Sequence, residues 1–106
     1  MGAGERVKLA NDMRAYRASV IAASKRGPLQ SLTDRELALK DCAVTIYPKN
    51  LQRRVQAWVR FGGEAIRVEA KLMRSTPHAA GIEFSAEGQV WRCWVWGNAV
   101  QVPDDH

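Results

Sequence analysis

The chain has 106 residues, 46% of them apolar, with 16 Lys/Arg against 11 Asp/Glu and a net charge of +5. That length closes one hydrophobic core but is too short for two, and the apolar share excludes a wholly disordered chain. No run approaches the roughly 18 to 20 apolar residues that span a bilayer, and no apolar signal core follows Met1-Gly2-Ala3-Gly4-Glu5-Arg6, so a cytoplasmic protein without a membrane partner is expected.

From Glu5 to about Arg26 there is neither Pro nor Gly, and Leu9, Met13, Tyr16, Val20 and Ala23 recur at helical spacing. This is the apolar stripe of an amphipathic helix, with Arg6, Arg14, Arg17 and Lys25 on its flank and Gly27-Pro28 as its stop. The stripe lasts barely two heptads, so it is expected to pack on its own domain; a homodimer through this helix is the alternative. Thr33-Asp34-Arg35-Glu36 has the form of a capping box and predicts a second, shorter helix to about Asp41. Its likeness to the start of a helix-turn-helix ends at Ala43-Val44-Thr45-Ile46-Tyr47-Pro48, where β-branched residues and a proline replace the recognition helix.

The period then changes to two. Residues 42–47 read as a first strand, and Pro48-Lys49-Asn50 as its turn. Val55, Ala57, Val59 and Phe61 alternate with Arg54, Gln56, Trp58 and Arg60, and Gly62-Gly63 supplies a tight hairpin. Ile66, Val68, Ala70 and Leu72 alternate with Arg67, Glu69, Lys71 and Met73 on the next strand. Ser75-Thr76-Pro77-His78 turns the chain into Ala80, Ile82 and Phe84, and Glu87-Gly88 turns it into Val90 to Trp96. Gly97-Asn98 precedes a short closing strand from Ala99 to Val102.

Short strands at about ten-residue spacing, joined by tight turns, predict an α+β chain: two N-terminal helices in residues 1–41, packed on a small five- to six-stranded antiparallel β-barrel in residues 42–102. Residues 103–106 form a frayed tail. The ending Trp94-Val95-Trp96-Gly97-Asn98-Ala99-Val100 resembles the tail of Src-homology-three-like small barrels, which implies a strand, a one-turn helix and a short closing strand in succession. The same tail and the alternation before it are similar to small proteins of actinobacteria and their phages, a likeness that implies no activity. Gln52-Arg53-Arg54 and Ala80-Gly81-Ile82-Glu83-Phe84 also resemble the cyclic-dinucleotide-binding PilZ barrels, but the chain lacks that family's Asp/Asn-x-Ser-x-x-Gly loop, so the ligand site so implied is incomplete.

Strand alternation also selects the candidate surface. With Val55, Ala57, Val59 and Phe61 inside, Arg54, Trp58 and Arg60 point outward, as do Arg67 and Lys71 on the next strand. On the strand around position 94, the uncharged set Trp91, Cys93 and Val95 is assigned to the core and Arg92, Trp94 and Trp96 to the outside. If the two strands are neighbours, one face collects guanidinium and indole groups. The first helix needs an apolar surface, and covering that indole patch is the favoured use of it; an open binding platform is the other. Residues 1–62 carry twelve Lys/Arg against five Asp/Glu, whereas residues 63–106 carry four against six, so the basic charge of Arg14, Arg17 and Lys25 belongs to the front half.

Nothing here specifies a reaction. His78 falls in a turn and His106 at the terminus, neither at catalytic spacing from a nucleophile or carboxylate. Asp104-Asp105-His106 reads as a frayed acidic tail rather than a metal site, and Cys42 and Cys93 as buried apolar side chains. The expectation is a non-enzymatic module without a cofactor. Its partner is nucleic acid, contacted through Arg54, Trp58, Arg60, Arg92, Trp94 and Trp96 with help from Arg14, Arg17 and Lys25. The alternatives are a protein-interaction accessory factor, docking on an acidic surface of a larger host or phage assembly, and a self-associating structural protein.

Overall fold

The structure is a computed structural model. It describes residues 2–103, with side chains from Asp12 onward. Leu9 of the helical stripe and the tail Asp104–His106 fall outside the described side chains. Two helices, α1 (Gly2–Ser24) and α2 (Asp34–Leu37), precede six strands: β1 (Thr45–Ile46), β2 (Arg54–Phe61), β3 (Glu64–Ser75), β4 (Ala79–Ala86), β5 (Gln89–Trp96) and β6 (Val100–Gln101). The chain is α+β, and all six strands belong to one antiparallel sheet in the order β5-β4-β3-β2-β6, with β1 on the far end of β3. Among the described residues, no helix is long and apolar enough to cross a membrane.

Local chemistry accounts for most of the boundaries. Thr33 caps α2 through the expected reciprocal pair: its hydroxyl accepts from the Glu36 amide, and its own amide donates to the Glu36 carboxylate. The helix stops at Leu37, four residues short of the expected end, because Ala38 adopts a left-handed conformation with φ 51°. The expected strand over 42–47 shrinks to Thr45–Ile46, which pairs with Arg74 and Ser75 rather than with the strand that follows it. Gly62 takes a positive φ of 59° in the β2–β3 hairpin. Glu87 and Gly88 both take positive φ between β4 and β5, as a type I′ turn requires. Met73 is an extra residue where β3 pairs with β4, a bulge that breaks the alternation between Leu72 and Arg74.

The sheet does not close on itself through strands, in contrast to the closed barrel expected from the strand spacing. Its end strands are β5 and β6, and the inter-helix linker occupies the gap. The Gln30 amide donates to the Arg60 carbonyl on β2 (2.8 Å), and the Leu32 amide donates to the Trp94 carbonyl on β5 (3.0 Å). The Trp94 amide donates back to Ser31 Oγ (2.9 Å), and Leu29 bridges to Phe61.

Inside lie Val55, Ala57, Val59 and Phe61 from β2, Val68 and Ala70 from β3, Ile82 and Phe84 from β4, and Cys93 and Val95 from β5. Phe84 and Trp91 stack at a centroid distance of 5.4 Å, and Phe61 meets both edge-on at 6.1 and 5.8 Å. Among the described side chains, those of the second half of α1 meet this core. Val20 and Ala23 are buried in it and Tyr16 is half-buried, whereas Met13 is 47% exposed. The Tyr16 hydroxyl accepts the Glu69 amide at 2.7 Å. Burial raises the Tyr16 pKa above its ordinary value, and desolvation pushes the Cys93 thiol up to about 11, which leaves it an inert, protonated core group at neutral pH.

Where α1 ends, backbone lies on backbone. A Cβ built on Gly62 would stand 2.8 Å from the Arg26 carbonyl oxygen, and one on Gly27 would stand 2.8 Å from the Gly62 Cα. Gly63, its neighbour in the same turn, has open space around it. Gly62→Ala is therefore expected to destabilise the protein by about 2 kcal/mol or more, and Gly63→Ala to stay within about 0.5 kcal/mol of the parent. Urea unfolding of the two variants measures the difference.

Candidate functional site

The alternation read from β2 holds residue by residue. Val55, Ala57, Val59 and Phe61 are buried; Arg54, Trp58 and Arg60 are exposed and Gln56 half-buried. The register sets the neighbours on β3: Arg54 opposes Lys71, Gln56 opposes Glu69, Trp58 opposes Arg67 and Arg60 opposes Ala65. Gln56 links the middle of this face, accepting from Arg67 and donating to Glu69 at 3.0 Å. The outer face of β2 and β3 therefore carries Arg54, Arg60, Arg67 and Lys71 with Glu69 among them, and Glu83 on β4 opposes Lys71 from its other side.

Arg54 and Lys71 are directly opposite, exposed, and without an ion-pair partner among the described residues. Like charges in that relation repel and destabilise a sheet. Salt and water screen part of the repulsion, and a bound polyanion would remove it.

β2 and β5 are not sheet neighbours, so the two halves of the expected platform meet differently from the expectation. They face one another across the linker. There Trp58, Arg60, Trp94 and Trp96 line a groove of about 580 Å³ together with Gln30, Leu32, Glu36 and Ala99. Trp58 is 52% and Trp96 43% exposed. Trp94 is half-buried, because its ring lies over Gly81 on β4, where a Cβ would sit 3.4 Å from it. Trp91, Cys93 and Val95 face the core as assigned.

The favoured reading that α1 covers the indole patch is overturned. The helix packs Val20 and Ala23 into the interior cluster and contacts β3 and β4, leaving Trp58 and Trp96 open. Apolar burial drives this choice: the interior offers aliphatic neighbours to Val20, whereas the outer face is edged with guanidinium groups that would lose water under a helix.

The remaining site residues do not converge on the groove. Arg92 opposes Glu83 on β4 and pairs with it at 2.7 Å, so its charge is largely answered. Arg17 lines a second groove, of about 640 Å³, between α1 and the sheet, where Arg54 and Lys71 alternate with Asp12, Glu69 and Glu83. Arg14 and Lys25 are exposed along and just past α1, away from the indoles. Gln30, Leu32, Glu36 and Ala99 were not expected at the site. The capping box signalled Glu36 as a helix residue only, and no local pattern brings the linker to Trp58.

No protein-family model, curated protein or solved structure matches the chain. The site is therefore defined by its own geometry: a basic sheet face that turns at Trp58 into an indole-lined groove. Variants retaining one tryptophan each, titrated with acrylamide, should show strong quenching for Trp58 and Trp96 and weak quenching for Trp91.

Proposed function

We propose that the protein is a non-enzymatic module that binds nucleic acid through the outer face of β2 and β3. The observation that carries this reading is the directly opposed Arg54 and Lys71, neither in an ion pair among the described residues although Glu83 faces Lys71 from β4, in line with Arg67, Arg60 and the exposed indole of Trp58. The excess of cations on this face attracts a row of phosphates, and the released counterions drive the association. Stacking of bases on Trp58 adds a sequence-tolerant contribution. The order β6-β2-β3-β4-β5, with a one-turn helix at Gly97–Ala99 between β5 and β6, supports reading the sheet as a small Src-homology-three-like barrel whose seam is filled by the linker.

A protein partner is the second reading, favoured by the edge of β5. Trp94 directs its amide and carbonyl away from β4 toward the linker. By strand alternation Arg92 and Val90 direct theirs the same way, where an extended peptide adds as a further strand.

Salt separates the two readings. Oligonucleotide affinity should fall steeply and linearly on a log–log plot against salt, and Arg54→Ala with Lys71→Ala should shallow the slope by about two counterions without loss of fold. Affinity that is insensitive to salt, or an unchanged slope in the double variant, contradicts the nucleic-acid reading.

A further inference from the structure

Trp58 belongs to two surfaces at once. On β2 it sits between Arg54 and Arg60 and opposite Arg67, within the basic face, and it also forms a wall of the groove shared with Trp94 and Trp96. We infer that the protein selects single-stranded over duplex nucleic acid, with phosphates on the β2–β3 face and an unstacked base in the indole groove, and that Glu36 makes this base an amino-bearing one such as cytosine. This rests on the nucleic-acid reading above and goes beyond it in strand state and base.

The argument for strand state is geometric. A duplex presents phosphates to the basic face but keeps its bases stacked and paired, so it leaves the groove unused. A single strand crossing from Arg54 toward Arg60 can turn a base past Trp58 into a space of about 580 Å³ lined by the exposed indoles of Trp58 and Trp96 and by Trp94. Every base has a face for such stacking, so the walls favour single strands without choosing among them.

The choice comes from the polar groups. Glu36 lies in the groove wall with one carboxylate oxygen, Oε1, held by the Thr33 amide at 3.0 Å and the Thr33 hydroxyl at 3.1 Å. The capping box thus fixes the carboxylate and leaves Oε2 to accept from an exocyclic amine. Cytosine carries that donor where thymine carries a carbonyl, which an ionised carboxylate repels.

The test titrates the full chain at low salt with short oligo-dC, oligo-dT and a duplex of matched phosphate number, following tryptophan fluorescence and anisotropy. The expected result is tighter binding of single strands than of duplex, and of oligo-dC than of oligo-dT. Trp58→Ala and Trp96→Ala should each weaken single-strand binding about tenfold while leaving the duplex nearly unchanged. Glu36→Gln keeps the cap, because glutamine also closes a capping box, and should erase the difference between oligo-dC and oligo-dT. Duplex binding as tight as single-strand binding, or equal losses on both in Trp58→Ala, overturns this inference and leaves the broader reading standing. Absence of binding to any oligonucleotide overturns both.

Discussion

The molecule depends on one contact between two backbones. Gly27, just past α1, and Gly62, in the β2–β3 hairpin, approach so closely that neither position has room for a Cβ, and the Gly62 amide donates to the Pro28 carbonyl at 2.9 Å. That contact fixes where the helix ends relative to the sheet, and everything in the linker follows from it. Leu29 is drawn beside Phe61, Gln30 reaches Arg60, and Leu32 reaches Trp94. A segment of four residues then bridges two strands that the sheet itself leaves apart. The space between them becomes a groove with a defined wall instead of a closed seam.

The character of that groove follows from packing inside. β2 gives its four apolar side chains to the core, and strand geometry turns the other set outward whatever their chemistry. The sequence places arginine and tryptophan in that outward set, and β3 places Arg67 and Lys71 opposite them. Glu83 answers Arg92 with an ion pair at 2.7 Å and opposes Lys71 on its other side, whereas Arg54 has no ion-pair partner among the described residues.

Much of this was legible in the chain. The extents of β2 to β5, their turns and the inward set Trp91, Cys93 and Val95 follow from alternation and glycine placement, because both are local. The Thr33–Glu36 cap is likewise written in four consecutive residues. What alternation cannot supply is which strands are neighbours. The linker joins β2 to β5, and the bulge at Met73 shifts the register of β3 against β4. Arg92 looks like part of a platform until the two-residue turn at Glu87-Gly88 is used to place Glu83 opposite it. The seat of α1 differs from the expectation for a related reason. A stripe of apolar residues shows that a helix must be buried, but not against which surface, and Val20 found the interior before it found the indoles.

The central claim is that the linker is held between β2 and β5 as a structural element and thereby shapes the groove. Amide hydrogen exchange at Gln30 and Leu32 tests it most directly. Protection comparable to that of the β2 and β5 amides is the predicted result; exchange at the rate of an unstructured loop would contradict the account.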